Sequence, residues 1–294
     1  MTIRLLRTIP EFREVIALEQ EIWGAAVPED AVGIPLLVAT VKRGGILLGA
    51  YDGGRLIGFV YSFSGLKDGR PMQWSHMLGV RPEHRASGIG RALKLEQRRV
   101  SLAMGIELME WTFDPLVAVN AHLNVRRLGV VVDEYVLDVY GDSQSPLHKG
   151  APTDRFIAEW WMRSPRVEAE LAGRAARPAP GPDPFPGVPR VNGVERRGDW
   201  LACSGSDLRR SERRLAVTVP AGFAGMLERQ AEAARAWRMA TREIFTAYLP
   251  RGYRVIDFSF APGADRGTYL LEAGEAAGPD APPSASPSVP PAHL

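Results

Sequence analysis

Residues 85–93 have the sequence Arg-Ala-Ser-Gly-Ile-Gly-Arg-Ala-Leu, and this stretch decides the fold. It follows the apolar run at residues 77–80 and opens an amphipathic pattern that predicts a helix to about Met104. A glycine-bearing turn between a strand and a helix can hold an anion, because the first N–H groups of a helix are unpaired and its dipole is positive there. Glycine also lets the backbone approach a phosphate closely.

Two well-known glycine-rich phosphate loops do not fit this stretch. The Walker loop ends in Gly-Lys-Ser/Thr, whereas Gly90 is followed by Arg91. The dinucleotide-binding fingerprint needs a third glycine or alanine where this chain has Leu93. An ordinary strand–turn–helix connection, with glycines for tight packing, remains the alternative to an anion site.

Composition narrows the classes of partner. The chain has 294 residues, of which 45% are hydrophobic and 24% charged, with a net charge of +2. This balance favours a globular protein and gives no support to a nucleic-acid or membrane partner. Cys203 is the single cysteine, so no internal disulfide is expected, and no metal-ligand spacing accompanies it. The N-terminus lacks the apolar core of a signal peptide, so we expect a cytoplasmic protein.

The order of predicted elements adds a second constraint. The turn at residues 52–55, Asp-Gly-Gly-Arg, indicates a hairpin, since its residues tolerate the positive φ of tight turns. Strand and helix patterns over residues 1–163 follow the order β-α-α-β-β-β-α-β-α-β-β, and the glycine loop comes after the fourth strand. We therefore predict an α/β (α+β) fold with a mixed sheet.

This order and the loop resemble the GNAT superfamily, the GCN5-related N-acyltransferases. The loop fits the family signature Arg/Gln-x-x-Gly-x-Gly/Ala, and it lies where the family places it. The resemblance is closest to a larger branch with Ser-His-Met-Leu-Gly-Val before the loop (residues 75–80 here), Asn-Ala-His at 120–122 and Pro-Thr-Asp-Arg-Phe at 152–156. It implies a GNAT fold followed by a smaller α/β C-terminal extension.

The resemblance further implies acetyl-CoA or another acyl-CoA as co-substrate, without a metal. The fourth strand would diverge from the fifth and offer free backbone groups to the pantetheine arm and the thioester oxygen. The pyrophosphate would meet the glycine loop. The cofactor-binding residues implied in this way are Met77, Leu78, Gly79, Val80, Arg85, Ala86, Ser87, Gly88, Ile89, Gly90, Arg91 and Asn120.

His76 is the candidate general base, at a strand position where many GNAT members carry glutamate. A histidine can do this work near neutral pH, and the alternative is a histidine hydrogen-bonded in the sheet. Ser75 should face the opposite side unless the strand bulges. The sequence does not identify the general acid that protonates the leaving thiolate. Many members carry a tyrosine for this purpose where this chain has Val125. The candidates here are His122, Tyr135, Tyr140 or a water molecule.

Three further positions have two interpretations each. Asn120 either contacts the pantetheine arm or caps a helix. Lys149, Asp154 and Arg155 lie near the last GNAT strand, where an arginine could hold a carboxylate of the acceptor or of a succinyl group, or form a surface pair with Asp154. On the C-terminal helix, Arg238 and Arg242 lie one turn apart and could reach an anion.

We divide the chain into a GNAT domain (1–165), a Pro/Gly-rich linker or strap (166–198), a C-terminal α/β unit (199–272) and a disordered tail (273–294). One long helix is expected at about 222–249. Trp237 and Phe245 on it are predicted core residues. Arginine clusters at 196–197 and 209–214 are interpreted as a solvated face.

The functional hypothesis is an N-acyltransferase that moves an acyl group, acetyl by default or succinyl, from acyl-CoA to the amine of a small molecule or amino acid. Transfer to a protein lysine or N-terminus is another option for the acceptor. A non-catalytic CoA-binding or protein-interaction module is the alternative to an enzyme, and the sequence is compatible with a homodimer.

Overall fold

The computed structural model describes residues 1–24, 32–141, 151–173, 183–261 and 263–274. The first half forms seven strands: β1 (Thr2–Leu5), β2 (Ile46–Asp52), β3 (Arg55–Lys67), β4 (Arg70–Val80), β5 (Leu108–Phe113), β6 (Val131–Val136) and β7 (Arg155–Trp161). Its helices are α1 (Ile9–Trp23), α2 (Ile34–Lys42), α3 (Ile89–Ala103) and α4 (Ala118–Ala121), which runs into a π-helical turn (His122–Arg127). The predicted order of elements over residues 1–163 is confirmed.

These strands form a mixed sheet in the order β1-β2-β3-β4-β5-β7-β6. The β2–β3 hairpin turns at residues 52–55, as the sequence predicts, and β4 and β5 are parallel. Buried residues of α1 and α2 pack with Phe59 and Tyr61 on one face of the sheet. Ile89 and Leu93 of α3 pack with Val60 on the other face. The mixed α/β fold is therefore confirmed.

The C-terminal half continues the same sheet. It contains α5 (Pro165–Leu171), β8 (Asn192–Arg197), β9 (Trp200–Ser206), β10 (Arg214–Pro220), α6 (Phe223–Arg229), α7 (Ala231–Tyr248), β11 (Tyr253–Phe260) and β12 (Arg266–Ala273). β11 joins β6 at the pair Val255–Val132, and β12 and β10 follow, which makes ten strands; β8 and β9 form a separate hairpin.

One hydrophobic core spans both halves. The Phe156 ring of β7 lies 4.5 Å from the Phe245 ring of α7 and 5.6 Å from the Tyr269 ring of β12, measured between centroids. Trp160 and Trp237 belong to the same core and are almost completely buried. The prediction that Trp237 and Phe245 are core residues is confirmed. Helix α7 therefore packs on the first half of the chain as well as on its own strands.

Three predictions about the second half concern a long helix, a linker and a disordered tail, and the structure differs from the first two. The long helix predicted at 222–249 is two helices, because Gln230 is non-helical (φ −147°, ψ 62°). Helix α5 and strand β8 lie within the stretch predicted as a linker at 166–198. The predicted disordered tail lies outside the described residues from 275 onward, while residue 273 still belongs to β12.

The arginine clusters are consistent with the predicted solvated face. Arg196 pairs with Asp265, and Arg213 and Arg214 both reach Glu272. Arg209 and Arg210 each pair with an acidic residue close by in the sequence. Among the described residues, no helix combines the length and the apolar character needed to cross a membrane.

Candidate functional site

The strands β4 and β5 pair only at their beginnings. The parallel pairing joins residues 72–74 to residues 108–110 and ends at Trp74–Glu110. β4 then runs on to Val80 and β5 to Phe113, so one edge of residues 75–80 has no neighbouring strand in the described part of the chain. We call this opening the β4–β5 cleft and the pair Trp74–Glu110 its apex. Backbone groups along such an edge are obligatory hydrogen-bonding groups that a ligand can satisfy.

A β-bulge at His76 separates two side chains at the apex. Tyr61 pairs with Met77 and Ser62 pairs with Ser75, so His76 has no partner on β3. The bulge does not bring Ser75 and His76 to one face, because their side chains still lie on opposite faces of the sheet. Ser75 is buried on the α3 side of the sheet, where its Oγ donates to Gln97 Oε1 at 3.1 Å.

His76 lies on the opposite face, the one that α1 and α2 cover. Its ring packs edge-on against Tyr61 at 6.1 Å and at a tilt against Phe63 at 5.9 Å, between centroids. The residue is otherwise exposed to solvent. The aromatic surface beside the imidazole desolvates it, and this lowers the pKa of His76 from its usual value. A histidine with a lowered pKa is neutral at pH 7 and able to accept a proton.

Only part of the backbone at 77–80 faces the cleft. Arg81 N–H donates to Ile57 O at 3.0 Å, which fixes the alternation of the β3–β4 ladder. By that alternation, Met77 and Gly79 direct their backbone groups to β3, and Leu78 and Val80 direct theirs to the cleft. The prediction that Met77 and Gly79 offer free backbone groups is therefore wrong, because the antiparallel ladder already uses them.

The glycine loop ends at the N-terminus of α3, beside the mouth of the cleft. Gly88 is the N-cap in a left-handed conformation (φ 88°), and no side chain caps the helix. Ala86 also has positive φ (60°). The first-turn amides of α3, from Ile89 to Arg91, are thus available for an anion. A Cβ built on Gly90 would lie 3.8 Å from Leu78 Cδ2, the nearest atom outside its own part of the helix, so the surrounding elements leave room there.

The arginines of the loop differ in their roles. Arg91 Nε is buried and has no hydrogen-bond partner among the described residues. Arg85 is exposed and its side chain donates to Val80 O at 3.3 Å, while its backbone N–H donates to Pro82 O at 3.2 Å. The expectation that the Arg85 amide faces the pyrophosphate needs correction, since the turn before the loop uses it. Ser87 Oγ donates to His84 O and closes the same turn.

The strand order, the β4–β5 cleft and the glycine loop are together the features that the sequence resemblance implies. The mixed sheet of the first half and its helices therefore resemble the GNAT fold. No family model and no curated protein matches the sequence. Among solved structures, an acetyltransferase of the GNAT family from Streptococcus pneumoniae is similar at 14% identity and a TM-score of 0.44, covering 54% of this chain and 97% of the other.

Two further similar structures are an N-acetyltransferase from Thermoplasma acidophilum in complex with coenzyme A and an aminoglycoside acetyltransferase from an uncultured soil sample. The first is 17% identical with a TM-score of 0.37 and covers 54% of this chain and 98% of its own. The second is 17% identical with a TM-score of 0.35 and covers 39% and 78%.

Val125, at the position where many GNAT members carry a tyrosine, is fully buried in the core and offers no titratable group. Asn120 is exposed on α4. It is not the helix cap, since the N-cap is Val117, so that alternative is wrong. Its contact with a pantetheine arm stays a prediction.

The three candidate acids lie in different places. Tyr135 OH donates to Asp154 Oδ2 at 2.7 Å, and burial together with this carboxylate raises the pKa of Tyr135. Tyr140 OH lies 3.0 Å from Thr112 Oγ1, on the face of the sheet that carries His76. The His122 ring packs against Phe260 at 6.2 Å, at the junction with the C-terminal half.

Asp154 and Arg155 are not a surface pair. Asp154 is fully buried and accepts hydrogen bonds from Tyr135 and Arg242, and Arg155 is 9% exposed and pairs with Asp114. The anions that Arg238 and Arg242 reach are therefore the chain's own Asp114 and Asp154. The third residue predicted in this region, at position 149, lies outside the described residues.

Two glutamates that the sequence patterns did not predict as site residues lie on the face of the sheet that carries His76. Glu110 at the apex is 6% exposed and pairs across the ladder with Glu159 of β7. Lys67 Nζ forms ion pairs with both carboxylates. Burial raises the pKa of Glu110, although Lys67 opposes the change. A glutamate inside the otherwise uncharged strand at residues 108–113 was a signal that could have identified it.

Proposed function

We propose that this protein is an acyl-CoA-dependent N-acyltransferase. The observation that carries the proposal is the β4–β5 cleft, which runs from the uncapped N-terminus of α3 to the apex at Trp74–Glu110. Pyrophosphate is an anion of the kind that first-turn amides bind, and the unpartnered Arg91 Nε adds a charged donor beside them. The backbone groups of Leu78 and the N–H of Val80 suit the amides of a pantetheine arm.

The thioester would then lie near the apex, beside the bulge. A neutral amine attacks the carbonyl carbon, the C–S bond breaks, and coenzyme A leaves as a thiolate that takes up a proton. An amine is protonated in water at neutral pH, so the site must first remove a proton. His76 is the proposed base. It lies beside the apex, on the face of the sheet from which we propose that the amine attacks, and its pKa is lowered.

The acceptor is proposed to be a small molecule or amino acid with a cationic amine. Glu110 and Glu159 lie on the same face of the sheet as His76, and they are two acids against the single base Lys67. This excess of negative charge attracts an ammonium group to the side of the thioester where attack takes place. Acetyl-CoA is the proposed donor, and succinyl-CoA is the alternative that the first experiment compares.

The first experiment is calorimetric titration of the full-length protein with acetyl-CoA, succinyl-CoA and free coenzyme A. It is followed by thiol-release assays with a panel of amino acids, polyamines and aminoglycosides. Micromolar binding with acceptor-dependent thiol release supports the proposal and names the donor. Binding without turnover on any amine would favour a non-catalytic CoA-binding module. The absence of binding would mean that the glycine loop is a purely structural connection.

A further inference from the structure

Tyr140 lies at the edge of the β4–β5 cleft, although it follows β6, which is two strands away from β5. Its OH lies 3.0 Å from Oγ1 of Thr112, the second residue of β5 beyond the apex. His76 is the second residue of β4 beyond the apex and lies on the same face of the sheet. The phenol and the imidazole therefore flank the opening from opposite sides. Tyr140 is 48% exposed, so its phenol is open to solvent and is not enclosed by the protein.

The turn that carries Tyr140 is held by α7 of the C-terminal half. The Arg242 guanidinium is shared between two carboxylates, since it donates to Asp138 Oδ2 at 3.1 Å as well as to Asp154. The N–H of Asp138 donates to Asp154 Oδ1 at 3.2 Å, and the N–H of Tyr140 donates to Thr153 Oγ1 at 3.0 Å. Asp138 has a positive φ (45°), which is strained for a residue with a Cβ. Strain that the surrounding contacts hold in place is typical of functional sites.

A second set of contacts from α7 holds the aromatic ring of Tyr140. Arg155 Cζ lies 5.3 Å from the ring centroid, and Arg155 Nη1 donates to Asp114 Oδ2 at 3.4 Å. The same Asp114 oxygen accepts a hydrogen bond from Arg238 of α7 at 2.5 Å. A guanidinium over the face of a tyrosine attracts the ring. The backbone and the ring of Tyr140 thus both depend on arginines that lie one turn apart on α7.

We propose that the C-terminal half completes the acceptor side of the transferase site, because Arg242 positions Tyr140 so that its phenol oxygen accepts a hydrogen bond from the attacking amine; this inference rests on the proposed function. The amine lies between His76 on the β4 side and Tyr140 on the β5 side. His76 takes one proton of the incoming ammonium group, and the phenol oxygen accepts a hydrogen bond from a remaining N–H.

Holding the nitrogen from two sides directs its lone pair at the thioester carbon, which is the orientation that attack requires. Tyr140 touches the reacting amine in this arrangement. Arg242 touches neither the amine nor the acyl group, and it is therefore a positioning residue.

The test is a double-mutant cycle on the full-length protein, with an amine that releases thiol in the assays described above. The variants are Tyr140→Phe, Arg242→Lys and the two combined, and the constants measured are the acceptor KM, kcat and the dissociation constant of acetyl-CoA. Phenylalanine keeps the ring without the hydroxyl. Lysine keeps a cation beside Asp154, but it lacks the planar fork that reaches both carboxylates.

Each single variant should raise the acceptor KM about 3- to 10-fold, the effect of one lost hydrogen bond, while the dissociation constant of acetyl-CoA stays within about twofold. The double variant should raise the acceptor KM no further than Tyr140→Phe alone, because Arg242 acts through the phenol. Arg235→Met, at an exposed position on the same helix, is the control and should leave all three constants unchanged.

Two effects that multiply in the double variant, or an equal loss of acetyl-CoA affinity in Arg242→Lys, would show that Arg242 only stabilises the fold, and would overturn the inference. A Tyr140→Phe protein with the wild-type acceptor KM would do the same, and in both cases the turnover of the wild type leaves the proposed function standing. Should Arg242→Lys not fold, Asp138→Asn replaces it in the cycle, since asparagine tolerates the positive φ but brings no charge to Arg242. Absence of thiol release with every amine overturns the proposed function and this inference together.

Discussion

Arg242 of α7 holds the carboxylate of Asp154 with two hydrogen bonds, Nε to Oδ2 at 2.8 Å and Nη2 to Oδ1 at 2.6 Å. Asp154 is fully buried directly before β7, so a residue of the C-terminal half neutralises a charge in the first half of the chain. One turn earlier, Arg238 donates to Asp114, which follows β5, at 2.5 Å. Helix α7 thus forms ion pairs at the end of β5 and at the start of β7.

Replacement of Arg242 should destabilise the whole chain. Arg242→Met leaves the Asp154 carboxylate buried with Tyr135 and the Asp138 N–H as its remaining donors, and should lower the free energy of unfolding by about 2 kcal/mol or more. Urea denaturation at pH 7 measures the change. Arg235→Met, an exposed position on the same helix, is the control and should change stability by less than about 0.5 kcal/mol.

The pair of Arg242 and Asp154 also predicts how the free energy of unfolding depends on pH. Burial raises the pKa of Asp154, but hydrogen bonds from Arg242 and Tyr135 outweigh it and hold the pKa below its usual value. The stabilisation is therefore complete above about pH 4 and is lost as the pH falls below that value. The difference in unfolding free energy between the wild type and Arg242→Met should shrink on acidification, and a difference that grows instead would contradict this account.

Glu19 should make the fold less stable at neutral pH than at about pH 4. It lies on the buried face of α1, its Oε2 has no hydrogen-bond partner among the described residues, and burial raises its pKa to about 7. The folded state holds this proton where the unfolded state releases it, so stability falls as the pH rises from about 4 towards 7, with a slope of at most about 1.4 kcal/mol per pH unit.

Glu19→Gln removes this titration, and the variant should be more stable than the wild type at pH 8 while the two converge near pH 4. Thermal unfolding across this pH range measures the effect. Glu14→Gln, an exposed carboxylate on the same helix, should keep the wild-type slope. Parallel pH profiles for the wild type and Glu19→Gln would show that Glu19 is solvated.

The order of elements in the first half was predictable because each strand and helix there has a local signal. The hairpin at residues 52–55 is one such signal, and the glycine loop at the start of α3 is another. The break between α6 and α7 at Gln230 has no such signal, since neither glycine nor proline marks it. The burial of Asp154 was equally hidden, because its partner Arg242 lies 88 residues further along the chain.

Some residues of the candidate site could likewise be predicted from the sequence and others could not. His76 and the loop could be found because they are adjacent in sequence to a recognisable pattern. The position of Tyr140 beside the cleft could not be found, since its contact Thr112 lies 28 residues earlier in the chain and its support from Arg242 lies far beyond it. Glu110 was hidden by the apolar residues around it, although its charge inside a buried strand was a usable signal.

Gly90→Ala separates ligand binding from folding. The added Cβ would lie 3.8 Å or more from every atom beyond its own part of the helix, and alanine is the better helix former by about 1 kcal/mol, so thermal stability should be unchanged or higher. If the first-turn amides hold pyrophosphate, the methyl group blocks its approach and the dissociation constant of acetyl-CoA should rise about tenfold or more. Calorimetric titration measures it.

Gly88→Ala is the matched variant with the opposite expectation for stability. Gly88 has φ +88°, which strains any side chain although no atom lies within 4 Å of the added Cβ, so the fold should lose about 1 kcal/mol. A Gly90→Ala protein that binds acetyl-CoA as tightly as the wild type would remove the loop from the donor site.

His76→Gln tests the proposed base through the pH dependence of turnover. Desolvation lowers the pKa of His76, so the neutral imidazole is present at pH 7 and the wild-type kcat should decline only as the pH falls below about 6.5. Glutamine keeps a polar side chain against Tyr61 and Phe63 but cannot take a proton. Turnover should therefore fall by about 10²- to 10⁴-fold, and the acidic limb should disappear. Glu110→Gln is the matched comparison. If the acidic limb of the kcat profile persists in His76→Gln and disappears in Glu110→Gln, the base is the carboxylate at the apex and not His76.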